Sequence, residues 1–219
     1  MTSARMVRAA VGLLLWSILC GAPSAWAQDP PPKIGPFVVD VHGTVPRFPG
    51  NATLAASHEL VVAELPARAL GLQLGAHVYL LRWRAVTFGA GGEFATSHAR
   101  KTPLNTQTTT RRATEEKFSS AGSQLSFNFG TGHGWSYISG GIGKSTWSVI
   151  ADGSQALPSD LARLKTINYG GGARWFARTH LAFSFDVRFY AINPGPSSLN
   201  TPGSPRTTLL AIGAGVSVK

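Results

Sequence analysis

The stretch that decides the fold is Leu181–Ala191, LAFSFDVRFYA. Leu181, Phe183, Phe185, Val187, Phe189 and Ala191 recur with period two. Ala182, Ser184, Asp186, Arg188 and Tyr190 fill the alternate positions. Successive side chains of a β-strand point to opposite faces, so this run presents one apolar face and one polar face. The apolar face suits hydrocarbon; the polar face suits water or a hydrogen-bonded network.

Seven further runs repeat the period. They are Phe37–Val45, Leu70–Leu80, Val86–Phe94, Ala121–Phe129, Trp135–Trp147, Thr166–Trp175 and Thr208–Val218. In the second, Leu70, Leu72, Leu74, Ala76, Val78 and Leu80 oppose Gly71, Gln73, Gly75, His77 and Tyr79. The runs span 9 to 13 residues, close to the roughly 9–11 needed by a tilted strand crossing a bilayer. The intervals between them hold 24, 5, 26, 5, 18, 5 and 16 residues. Long and short connections alternate without exception, which predicts an up-and-down barrel with long loops at one end and tight turns at the other. An even strand count puts both termini at the short-turn end. A soluble β-sandwich shares the period but predicts no such alternation.

Composition agrees. The chain has 219 residues, of which 14% are charged, 25 are Gly and 14 are Pro. That excludes collagen, coiled coil and disulfide scaffold and favours strands joined by turns. Residues 1–27 read as a cleavable signal peptide: Arg5 and Arg8 precede the apolar stretch Ala9–Cys20, and Ala25-Trp26-Ala27 offers small residues for cleavage after Ala27. Leu19 stands where a lipoprotein signal requires a small residue, so lipid anchoring at Cys20 is the lesser reading. Residues 28–36 form a Pro-rich linker and residues 37–219 the barrel domain. Without the leader, 18 basic residues face 10 acidic ones. No later segment is apolar enough for a membrane-spanning helix, so any passage through a membrane uses strands.

The eight alternating runs, the leader, and the Gly-rich stretches Ser139–Lys144 (SGGIGK) and Tyr169–Trp175 (YGGGARW) resemble the small outer-membrane barrels of the OmpA, OmpX and OmpW type. The resemblance covers roughly residues 34–219 and lies in architecture rather than in a single motif. It implies an all-β, eight-stranded antiparallel transmembrane β-barrel, porin-like in build, in the outer membrane of a Gram-negative bacterium. It implies outer-membrane lipid, lipopolysaccharide and the outer-membrane assembly machinery as partners, and a monomer. One feature departs from it: such barrels commonly end in an aromatic residue, and here the end is Val216-Ser217-Val218-Lys219.

Asp40, His42, His77, Glu93, Lys144, Arg174, Asp186 and Arg188 are expected on inward faces, as a polar network filling the barrel. An eight-stranded barrel is only wide enough for side chains to fill it, and charges there must be paired. Phe118, Phe129, Trp135, Trp147 and Trp175 are expected as interfacial girdles. Arg100, Lys101, Arg111, Arg112 and Lys117 are expected to cluster in the second long loop, where they would attract lipopolysaccharide phosphates. Polar Thr106–Thr110 lies in the same loop.

Enzymatic chemistry has weak signals. His42 and Asp40 make a local pair without a Ser near in sequence, and residues 180 and 184 on one strand stand roughly 13 Å apart. Gly143-Lys144-Ser145 lacks the upstream Gly of a phosphate loop, because that position is Ile138. The six His show no metal-ligand spacing. No cofactor and no nucleic-acid partner is expected. The expectation is a structural or surface-interaction protein, not an enzyme. A lipid A-modifying enzyme and a soluble periplasmic ligand binder are the alternatives.

Overall fold

The computed structural model describes residues 31–102, 104, 111–197 and 203–219. The expected leader, its cleavage residues Ala25 and Ala27, the start of the linker and Thr106–Thr110 lie outside the described residues.

Eight strands form where the alternation predicts them: β1 Phe37–Arg47, β2 Leu70–Trp83, β3 Val86–Lys101, β4 Thr114–Thr131, β5 Gly134–Ala151, β6 Leu164–Phe176, β7 Leu181–Ile192 and β8 Thr207–Val218. Each pairs antiparallel with its sequence neighbour, and β1 also pairs with β8, so the sheet closes into a barrel. Closure leaves no free edge, which is the condition for a sheet to survive in hydrocarbon. The turns after β2 and β4 are Arg84–Ala85 and Gly132–His133, and the third short connection is 177–180. The long connections are 48–69, 102–113, 152–163 and 193–206.

β3 and β4 run further than the hydrophobic pattern indicates, and the expected 95–120 loop shrinks to 102–113. The reason is a reversal of polarity along the staves. Lower on β4, Leu125, Phe127 and Phe129 face outward while Gln124, Ser126 and Asn128 are buried. Higher up, outward Glu115 and Lys117 alternate with buried Phe118. β5 switches likewise: Ile138 and Ile142 face outward below, and Trp147, Val149 and Ala151 are buried above. The barrel is apolar outside and polar inside over one band. Beyond that band, toward the long connections, it is built like a water-soluble protein.

The connection 48–69 fills the upper mouth. Its helix α1, Ala52–Ser57, starts at Asn51, whose side chain accepts the Thr53 and Leu54 amides at 2.8 and 3.2 Å. Phe48, Leu54, Leu60 and Leu65 pack on Phe118, Trp147, Ile192 and Leu209 from the strands. A short helix α2, Pro158–Leu161, sits in the third long connection. At the opposite end Ile34, Val38 and Trp135 form a second buried cluster with Tyr79 and Phe176 against it.

Candidate functional site

Between these two apolar caps lies a polar interior. Arg188 on β7 contacts Glu93 on β3 at 2.7 Å. These are opposite staves of the barrel, so the ion pair spans the lumen. Arg188 also donates to Asp186 at 2.9 and 3.1 Å and to Ser139 at 3.0 Å. Glu93 accepts in addition from Tyr190 at 2.6 Å and from Gln73 and Gln124, each at 2.9 Å. Arg174 forks onto Asp40 at 2.8 and 2.6 Å, and the same carboxylate takes the Ser217 hydroxyl at 2.5 Å. Tyr137 donates to Asp186 at 2.7 Å, and its ring lies 4.0 Å from the Arg174 guanidinium. Buried charge is tolerated only with such a set of partners.

Seven of the eight residues expected on the inner faces, all but Lys144, are buried there. Lys144 is placed otherwise: it is exposed on the outer face, and its neighbour Ser145 is the buried residue. Its expected phase fails because both faces of β5 carry large apolar residues: Trp135 and Trp147, expected outward, are buried, and Ile138 and Ile142, in phase with Lys144, face out. A one-residue error in phase moves a side chain to the other face. The girdle is corrected for the same reason. Phe129 and Trp175 face outward at 40% and 59% exposure, whereas Phe118, Trp135 and Trp147 are inward at 3%, 3% and 2%. Trp147 donates its indole N–H to buried Glu116 at 2.7 Å. Outward Trp83, 63% exposed at the β2–β3 turn, holds a girdle position that the alternation overlooks.

The network also recruits residues that carry no signal in the sequence. Tyr137, Tyr190, Gln73, Gln124 and Ser217 are ordinary strand residues until the register stacks them against charge. Ser184 is the instructive case. Its hydroxyl lies 2.7 Å from His42 Nε2, although 142 positions separate them. The pair is buried, and His42 Nδ1 has no protein partner. A nucleophilic dyad needs the imidazole oriented from its second nitrogen and open to substrate; this pair has neither. On the outer face, His98 and Glu115 meet at 2.6 Å, with no hydroxyl bonded to that imidazole among the described residues. Nor does any group of three His, Cys, Asp or Glu there converge as metal ligands.

The basic residues assigned to the second loop are dispersed. Arg100 and Lys101 belong to β3 and Lys117 to β4. Arg100 pairs with Asp152 at 2.6 Å, and Lys117 with Glu115 at 3.0 Å. Lys101 donates to the Leu65 carbonyl at 3.2 Å; Arg112 reaches Ser154 at 2.8 Å and the Glu59 carbonyl at 3.4 Å. Arg111 lies exposed on the connection itself. Arg112 thus ties its own connection to the third and the first, Arg100 and Lys101 tie β3 to the third and the first, and Lys117 pairs within β4.

Among solved structures, Neisserial surface protein A overlays with a TM-score of 0.52 at 16% identity, covering 84% of this chain and 97% of that one. The chain has the fold of the small outer-membrane β-barrels. Two further barrels overlay less closely. Ail, the attachment invasion locus protein of Yersinia pestis, in a complex with the heparin analogue sucrose octasulfate, gives a TM-score of 0.47 at 12% identity over 83% of this chain and 96% of that one. The outer membrane protein AlkL, solved in lipid bilayers, gives 0.44 at 13% identity over 90% and 95%. No family model and no curated protein sequence matches the chain. Within the small outer-membrane barrel fold, the alternation of long connections and tight turns sets the two ends apart.

Proposed function

We propose that this outer-membrane barrel serves a structural or surface-interaction role, with a closed interior. Its long connections lie outside the cell and both ends of the barrel domain on the periplasmic side. The observation that carries the reading is the Arg188–Glu93 contact at 2.7 Å across opposite staves. A path along the lumen would have to break this strut, and the apolar caps above and below it as well. The outward belt supports membrane residence. Leu74, Phe127, Ile138, Phe183 and Val216 are all exposed, and an apolar surface of that extent is untenable in water. A soluble ligand binder is disfavoured on that ground. A non-enzymatic role is supported by the burial of the Ser184–His42 pair.

The test is heat-modifiability in carbonate-washed outer membranes, with protease added to intact cells. The expected result is a gel-mobility shift on boiling, retention in the membrane fraction, and cleavage within the long connections. A protein released by carbonate, with no mobility shift, would overturn the reading.

A further inference from the structure

The outer face carries an arrangement that the closed interior does not explain. Lys144 on β5 and Lys165 on β6 are directly paired across the sheet, and both are exposed. Like charges set opposite one another destabilise a sheet. Among the described residues neither ammonium has a carboxylate or hydrogen-bond partner, unlike Arg100 and Lys117. The chain therefore leaves this repulsion uncompensated.

The position of the pair is specific. Ile142 and Ile167, themselves cross-strand partners, are the outward residues next below the lysines, 70% and 58% exposed. Next above Lys144, the outward residues of β5 are Thr146 and Ser148. The lysines thus stand where the outer face turns from apolar to polar. A groove of about 580 Å³ runs from the isoleucines past the two ammonium groups to Asn193. Asn193 is held there by its own amide, which donates to the Lys165 carbonyl at 3.0 Å, and its side chain is exposed. Two cations and an amide lie over an apolar trough, which matches a ligand with an anionic head and an acyl tail. Arg47 and Arg68, above the β1–β8 partners Val45 and Ile212, repeat the pairing of cations with an apolar trough.

We propose that the β5–β6 groove binds the phosphorylated, acylated glycolipid of the outer leaflet. Lys144 and Lys165 grip its phosphate, and an acyl chain lies along Ile142 and Ile167. This rests on the reading above that the long connections face outward, since that places the lysines at the outer-leaflet head groups. A phosphate between the ammonium groups turns their mutual repulsion into two attractions.

The test uses the full protein purified in detergent from bacterial outer membranes. Lipid A retention is read by native mass spectrometry against three probes: bisphosphorylated lipid A, its dephosphorylated form and inorganic phosphate. The wild type is expected to retain bisphosphorylated lipid A in preference to the dephosphorylated form, and excess inorganic phosphate should not displace it. K144Q/K165Q is expected to bind about thirtyfold more weakly, from the attraction each lysine exerts on an anionic surface. Both substitutions lie outside the packed interior, and retention of the heat shift verifies that the variant is folded. Equal retention by wild type and folded variant, or equal retention of the two lipids, would overturn the proposal. Displacement by inorganic phosphate would also overturn it, by showing a free-anion site. Failure of the underlying reading looks different: the wild type itself would lack the heat shift, or its long connections would resist external protease, and both inferences would fall.

Discussion

Asp40 shows how a charged residue survives inside this barrel. It accepts a two-pronged Arg174 contact and the Ser217 hydroxyl, so no charge is left without a partner on that side. Replacing one member of a buried pair is costly because it strands the other. R174A is expected to cost about 3–5 kcal/mol, while the paired replacement D40N/R174M should cost much less. Urea unfolding from lipid vesicles measures both, and equal losses would refute a paired role. His58, in the outer connection, sets a pH dependence. Burial opposes its charge, but the hydrogen bond it donates to Asp160, its bond to the Leu54 carbonyl and the Asp160 charge outweigh burial and raise its pKa above the ordinary 6.5. Its Nε2 lies 3.1 Å from Asp160, which joins the first long connection to the third. A raised folded-state pKa means that the contact stabilises fully below about pH 6.5 and is lost as pH rises through the higher folded value. Amide protection factors in 48–69, taken relative to the base-catalysed intrinsic exchange rate, should therefore be higher at acidic than at alkaline pH. H58Q should remove that difference; a pH effect that persists in H58Q would assign it elsewhere.

At the scale of the element, each stave is one strand with two solvents. The same alternation serves hydrocarbon below and water above, so β4 and β5 exchange the polarity of their faces along their length. This is why the sequence marks strand centres more sharply than strand ends. Around Ala95, Ala99, Glu115 and Lys117 the backbone continues to pair, while the apolar signal has moved to the inner face. Glycines add to the ambiguity. A Cβ on Gly172 would stand 2.8 Å from the Tyr137 hydroxyl and 2.0 Å from the Phe185 carbonyl oxygen. Only glycine leaves room there for the network, and glycine carries no face signal. The phase of β5 can be tested with single cysteines on a C20A background. Lys144→Cys should react with a maleimide in the folded barrel and Ser145→Cys only after unfolding. The reverse order would shift the strand by one residue and return Lys144 to the interior.

At the scale of the molecule, three layers lie in series along the lumen, and the proposed closure rests on them: the Phe48–Leu65 cap, the cross-lumen ion network and the Trp135 cluster. Removing a single layer leaves the other two. Purified wild-type protein is accordingly expected to show no steady conductance in planar bilayers, and R188A alone should not open a stable pore. A well-defined conductance from the wild type would instead mean that the layers move together. The upper cap is built from the connection that precedes β2, so loop and closure are one feature, and a change of loop sequence is constrained by packing at Leu54, Leu60 and Leu65.

The sequence alone determined the strand number, the up-and-down order and the division into long and short connections. These follow from local periodicity and spacing, which survive errors of a few residues at each strand end. It also marked most of the charged interior, because the apolar face of β7 leaves Asp186 and Arg188 one place to go. Only the tertiary structure decided which polar groups meet. Ser184 reaches His42, and Glu93 meets Arg188, through the closure and register of eight strands. That register is a property of pairs of strands and leaves no trace in either one. It likewise decided that Lys144 faces outward beside Lys165. Along β5 both faces carry large apolar residues, Ile138 and Ile142 on one and Trp135 and Trp147 on the other, and only the tertiary structure decides which face turns inward.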